Sequence, residues 1–256
     1  MSAPDRRFHA YCVGLPKAGT HSLDGLFQAN YRSAHEPERL ELIDQYIASV
    51  RKQVSAEELL DFLRERDRKL DLEMDASVYN YLVLPQLVEL FPEAKYFVLV
   101  RDCLGWVESA LRHTLANIST PYELSFWGAW LRVKRYQHEE PEAQLKELGL
   151  FPLRSYLEGW SRFLQHVHQL VPDGQLLAVR TKEIEASIPQ IAEFLKIPAS
   201  TLDAEQAHLY KAKFEDRVLE KLDPDFVVPM AEEACGKVME HFFPGQPIRS
   251  FWVGEV

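Results

Sequence analysis

The stretch from Ala10 to Ser22, AYCVGLPKAGTHS, sets a short apolar strand directly against a small-residue loop and the start of a helix. Strand, loop and helix in that order build a cradle for an anion. Gly14 and Gly19 let backbone N–H groups converge, and the helix opening near Thr20 adds its unpaired N-terminal donors and the positive end of its dipole. Lys17 brings a mobile charge into the same loop.

The usual nucleoside-triphosphate loop runs Gly, four residues, Gly, then Lys and Ser or Thr. Gly14 and Gly19 keep its first spacing, but Thr20 and His21 stand where the lysine and the magnesium-holding hydroxyl belong. A lysine inside the loop, with hydroxyls at Thr20 and Ser22 on the first helical turn, points instead to a phosphate ester held without an obligatory metal. The bland alternative is a strand-to-helix turn with a solvated lysine.

With these residues the loop resembles the 5'-phosphosulfate loop of the sulfotransferases that use 3'-phosphoadenosine 5'-phosphosulfate (PAPS). That loop commonly reads Pro-Lys or Pro-Arg, a small residue, Gly, Thr or Ser, and another hydroxyl or apolar position. Pro16, Lys17, Ala18, Gly19, Thr20 and Ser22 match it, and His21 departs from it. The resemblance implies that Pro16 to Ser22 bind the cofactor's phosphosulfate, with Lys17 at the oxygen bridging sulfur and phosphorus.

A second element is the apolar run Ala94 to Val100, AKYFVLV, which reads as a strand buried on both faces and ends in Arg101 and Asp102. A helix is predicted from Leu104, and Ser109 lies on it eight residues after Arg101. An arginine fork at a strand's carboxyl edge and a hydroxyl two turns into the next helix suit one phosphate. Sulfotransferases use this spacing for the 3'-phosphate of PAPS; pairing of Arg101 with Asp102 or Glu108 is the alternative. A third stretch, Arg180 to Ile184 with Pro189 and Phe194-Leu195, resembles the family's Arg-Tyr-Glu-Asp-Leu-like segment. The similarity spans roughly residues 8 to 197. The family's basic, glycine-containing segment near the carboxyl end is not visible, and Lys211, Lys213 and Arg217 are the nearest substitutes or simply a solvated helix face.

Sulfuryl transfer needs a group to take the acceptor's proton and positive charge where the leaving phosphate becomes more negative. Lys17 suits the second role. For the base, Glu36 follows the predicted strand YRSAH at its carboxyl edge, where parallel sheets place their sites. His35 is adjacent, and Asp75 follows the predicted strand DLEM, Asp71 to Met74. Capping of a following helix by Glu36 or Asp75, and a core position for His35, are the structural alternatives.

Short strands alternate with amphipathic helices along the chain, without repeats or low-complexity tracts. The expected fold class is therefore α/β, a parallel central sheet flanked by helices with a P-loop-like nucleotide-binding architecture. The chain reads as a single domain over residues 1–256, with a helical insertion at about 121–152 and a helical region from about 203. Phe126, Trp127, Trp130 and Tyr136 of the insertion line an acceptor pocket or form plain core.

Composition is globular, 46% hydrophobic and 27% charged, and the formal net charge of −10 argues against a nucleic-acid surface. No apolar run nears the roughly 20 residues of a membrane span. Three scattered cysteines suggest neither a disulfide framework nor a metal cluster, so a reducing cytoplasm is the expected setting. The expected activity is transfer of a sulfuryl group from PAPS to a hydroxyl or amine of a small or medium-sized acceptor, leaving 3',5'-bisphosphoadenosine. A P-loop kinase and a non-catalytic nucleotide-binding protein are the rivals; acceptor and oligomeric state are not legible.

Overall fold

The computed structural model of the chain describes residues 6–117, 121–208 and 217–252, with backbone alone at 121–125 and 207–208. In chain order the strands and α-helices are β1 (Ala10–Cys12), α1 (Thr20–Gln28), β2 (Ser33–His35), α2 (Arg39–Val50), α3 (Ala56–Leu70), β3 (Met74–Ala76), α4 (Leu84–Leu90), β4 (Lys95–Val100), α5 (Cys103–Ala116), α6 (Pro121–Trp130), α7 (Ala143–Glu147), α8 (Leu153–Leu170), β5 (Leu176–Arg180), α9 (Ile188–Leu195) and α10 (Pro224–Phe242). Two compact units divide the chain, residues 1–100 with 167–210 and residues 101–166 with 211–256.

In the first unit the strands pair in parallel, in the order β2-β3-β1-β4-β5. This is the parallel sheet that the alternating pattern predicts. β4 is buried from Tyr96 to Val100, as its unbroken apolar run requires of a strand covered on both faces. β5, at the sheet edge, alternates instead: Leu177 and Val179 are buried and Ala178 is exposed. Leu23, Leu26 and Phe27 of α1 are fully buried, so the predicted apolar face of that helix does close on the core. The chain leaves β1 for one sheet edge and later crosses back past it to build the other. The carboxyl end of β1 is thus where strand order reverses, the place at which open parallel sheets hold ligands.

The strand predicted at Asp71 to Met74 is displaced. Asp71 sits in the left-handed region at φ 46° as the C-cap of α3, and the strand is Met74–Ala76. Asp75 therefore lies inside β3 rather than after it. The shift has a chemical cause, because Glu73 is buried as an acceptor for Arg7 Nε at 2.8 Å and the Arg32 amide at 3.0 Å. α3 itself begins on a capping box, with Ser55 accepting from the Glu58 amide and Glu58 from the Ser55 amide.

The second unit is helical. Tyr156, Leu157, Trp160 and Phe163 bury one face of α8, and Cys235 of α10 donates its thiol hydrogen to the Leu157 carbonyl at 3.3 Å. Aromatic residues of the insertion contact one another. Phe126 and Trp127 meet edge to face at 5.2 Å, Trp127 and Trp130 at 5.7 Å, and Trp130 leans on Phe163 at 6.3 Å. The Tyr136 hydroxyl donates to Glu158. Lys211 and Lys213 lie outside the described residues, and Arg217 pairs with Glu220. Among the described residues no helix is long and apolar enough to cross a membrane.

Candidate functional site

β1 runs straight into the loop, and close approaches fix the loop's path. The Val13 amide donates to the Phe97 carbonyl at 2.8 Å, and a Cβ on Gly14 would stand 2.5 Å from Thr20 Cγ2. Beyond it, the Ala18 amide closes a turn on the Leu15 carbonyl at 3.1 Å. Lys17 holds φ 69° and Gly19 φ 104°, so two left-handed residues flank Ala18 and curl the loop. At Gly19 a side chain would be strained twice over: the φ is positive, and a Cβ would lie 3.1 Å from Thr181 Cγ2 and 3.3 Å from Ile184 Cδ1.

Gly19 is the N-cap of α1, and no side chain caps the helix among the described residues. The first-turn N–H groups have no intrahelical acceptors, and with the dipole they make a positive end. Pro16 and Lys17 are half-buried, Ala18 and Ser22 buried. Thr20 is also buried, and its hydroxyl shares a 3.1 Å hydrogen bond with His35 Nε2. His21, the departure from the expected hydroxyl, is exposed and lies flat on His35, with ring centroids 4.2 Å apart and planes 6° from parallel.

Thr181 has no assigned role in the sequence reading, yet it supports the loop from behind. Its hydroxyl donates to the Ala18 carbonyl at 2.6 Å across 163 residues of chain. No local pattern signals such a contact; only the sheet, which seats β5 beside β4, creates it.

The three candidates for the base differ sharply. Glu36 follows β2, donates its amide to the Ala76 carbonyl at 3.0 Å and holds φ 51°, a left-handed geometry that a glutamate rarely adopts. Its carboxylate is only loosely paired, 3.5 Å from the half-exposed Arg39. His35 stands beside it. Burial lowers the His35 pKa, Glu36 raises it and His21 lowers it, with a net downward shift that favours the neutral ring. Together with Glu38, Arg39, Leu40 and Glu41, these two residues line an open depression of about 550 Å³. Asp75 is engaged on both oxygens, by Arg66 at 2.7 Å and by Asn80 Nδ2 at 3.0 Å, with Asp75 and Arg66 each about 5% exposed at the side chain. Asp75 is thus held on both oxygens by buried neighbours, whereas Glu36 opens on the depression.

In the second unit Arg101 comes first after β4, half-buried, and its carbonyl accepts from Trp160 Nε1 at 3.0 Å. Both carboxylates that the sequence offers it as partners accept from backbone amides. Asp102 caps α5, accepting from the Gly105 amide at 2.6 Å, and Glu108 accepts from the Val218 and Leu219 amides at 3.0 and 2.8 Å. Burial lowers the Arg101 pKa, with opposing contributions from Asp102 and Glu108 and a further lowering from Arg112. Ser109 is half-buried on α5. Among the described residues no group of His, Cys, Asp and Glu side chains has the makings of a metal site.

A sulfotransferase domain family model matches residues 70–208, more than half of the chain. The chain belongs to the sulfotransferase domain family. Among solved structures, a sulfotransferase from Alicyclobacillus acidocaldarius superposes with a TM-score of 0.52 at 13% identity, covering 96% of this chain and 98% of that one. The sulfotransferase domain of the Synechococcus PCC 7002 olefin synthase superposes with a TM-score of 0.42 at 15% identity, covering 91% and 89%. At such identities the likeness to the first is one of fold. No curated protein matches the sequence. For this sulfotransferase the matched segment takes in β3, β4, α5 and β5, whereas the loop from Pro16 to Ser22 precedes it. The loop's assignment accordingly rests on its own residues and geometry.

Proposed function

We propose that this sulfotransferase moves a sulfuryl group from PAPS to a hydroxyl or amine of a small or medium-sized acceptor and releases 3',5'-bisphosphoadenosine. The uncapped start of α1 behind Lys17 and Gly19 carries this reading, because it offers converging N–H donors where a Cβ would not fit. Those residues suit a phosphosulfate: Gly19, Thr20 and Ser22 supply the turn, and Lys17 the charge. Arg101 and Ser109 are assigned the 3'-phosphate on the family resemblance, with Arg101 at the carboxyl end of β4 and Ser109 on α5. When bound, the donor contributes an activated sulfuryl group on a phosphate leaving group.

The chain's own task is then electrostatic and positional. Lys17 Nζ stabilises the negative charge that gathers as the bond from sulfur to the leaving oxygen breaks. Glu36 receives the proton from the acceptor atom as that atom bonds to sulfur, and the depression beside Glu36 holds the acceptor. His35, held by Thr20 and stacked on His21, is the neighbouring alternative. Three buried free thiols, Cys12, Cys103 and Cys235, fit a reducing setting such as the cytoplasm.

Calorimetric titration tests the donor assignment. Binding of 3',5'-bisphosphoadenosine without metal is the expected result; binding of ATP with magnesium alone would defeat the proposal and favour a kinase. For the base, Glu36→Gln is expected to lower kcat about a hundredfold or more while leaving bisphosphoadenosine affinity unchanged. Turnover within a factor of about three of wild type would move the role to Asp75 or His35.

A further inference from the structure

His35 meets the loop through a hydrogen bond whose direction matters. Its Nε2 stands 3.1 Å from the hydroxyl of Thr20, the first residue of α1, which is 5% exposed and directly follows Gly19 at the uncapped helix start. A hydroxyl has a single hydrogen to give. If Nε2 is bare, Thr20 donates to the ring and turns only lone pairs to an anion in the loop. If Nε2 carries hydrogen, Thr20 accepts from the ring and its own O–H is free for that anion.

His21, on the same first turn of α1, holds the ring in place: its imidazole covers His35 at 4.2 Å, 6° from parallel. The charged and titratable groups around His35 are Glu36 beside it, His21 and Asp24 on α1, and Arg39 on α2. Asp24 already accepts from Ser33 and from Gln28 Nε2, and Glu36 lies 3.5 Å from Arg39. Burial, opposed by Glu36 and aided by His21, lowers the His35 pKa. The ring of the free protein is therefore neutral around neutral pH, and either nitrogen can carry its hydrogen. An anion in the loop decides between them, because a hydroxyl bonds a charged acceptor more strongly than a neutral one.

We propose that His35 is a positioning residue for the donor nucleotide: it donates from Nε2 to Thr20 Oγ1 and so turns the Thr20 O–H onto the 5'-phosphate group in the loop. The proposal rests on the donor assignment above. It also gives His21 a purpose, since a serine or threonine there would leave the face of the His35 ring uncovered.

Calorimetric titration of the full chain with 3',5'-bisphosphoadenosine and with adenosine 3'-phosphate, which brings no phosphate to the loop, tests it. Thr20→Val and His35→Leu are each expected to weaken the bisphosphate about tenfold and adenosine 3'-phosphate less than about twofold. The double variant is expected to lose little more than either single one, because both changes remove the same donor. His35→Gln, whose amide donates from the place of Nε2, is expected to bind the bisphosphate within about threefold of wild type. Nitrogen-15 NMR reads the proton itself: Nε2 is expected to be protonated in the wild-type bisphosphate complex, with the His35 signals assigned by their absence from His35→Gln. A bare Nε2 in that complex overturns the proposal, even where His35→Leu does not fold. So does a His35→Leu that binds as wild type does, a loss that multiplies in the double variant or falls on both nucleotides alike, or one that glutamine does not relieve; in each case the proposed function stands. A wild type that fails to bind the bisphosphate defeats the donor assignment itself.

Discussion

Lys17→Met is expected to lower kcat by about two to three orders of magnitude while changing the affinity for 3',5'-bisphosphoadenosine less than about tenfold. The asymmetry follows from when the charge develops. On the proposed assignment the product nucleotide satisfies the uncapped N–H groups of α1, and those donors remain in the variant. Lys17 matters most while the leaving oxygen becomes more negative than it is in the ground state, so its loss is a loss of transition-state binding. Its backbone, at φ 69° between Pro16 and Ala18, carries the stem out of a loop that Thr181 and the Gly14–Thr20 contact hold in place. Methionine at that φ costs no more than lysine does, so the loop is expected to persist. The measurement is release of bisphosphoadenosine from PAPS with the best acceptor of a panel of phenols, sugars and amines. A kcat within threefold of wild type would remove Lys17 from the chemistry. A fall in nucleotide affinity as large as the fall in kcat would make it a binding residue only.

The loop is legible in the sequence because each of its constraints is local. Gly14 must clear Thr20 six residues away, Gly19 must adopt φ 104°, and helix α1 announces itself by its buried face. β4 is legible for the same reason, since a strand covered on both faces shows an uninterrupted apolar run. β3 is hidden by chemistry that pattern reading scores as exposed: Glu73 and Asp75 are buried only because Arg7 and Arg66 reach them from elsewhere in the chain. The same is true of the site. Thr181 behind the loop, the stacking of His21 on His35, and the commitment of Asp102 and Glu108 to backbone amides depend on tertiary neighbours. His21 looks like a defect in the family pattern when read alone. Beside His35 it has a partner of its own kind, and Thr20 supplies the hydroxyl that bonds the pair's inner ring.

Arg66→Met is expected to destabilise the chain by about 3–5 kcal/mol, the cost of leaving the Asp75 carboxylate buried without its countercharge. Both side chains are about 5% exposed, so water cannot replace the lost partner, and Asn80 satisfies only the other oxygen. Arg66 also donates to the Pro37 carbonyl at 2.8 Å, which ties the segment after Glu36 to α3. Denaturant unfolding of Arg66→Met, Asp75→Asn and the double variant measures the coupling. The double variant is expected to recover more than half of the loss, since a neutral amide needs no countercharge. A cost below about 1 kcal/mol for Arg66→Met would mean that the pair is hydrated and Asp75 available. The same variants bear on the base. If Asp75 holds structure, Asp75→Asn lowers stability while the folded fraction turns over at close to the wild-type rate; if it took the acceptor's proton, kcat would collapse in a protein that remained folded. The enclosure of Asp75 by Arg66 and Asn80 predicts the first outcome, in keeping with the proposal that Glu36, which opens on the depression, takes the proton.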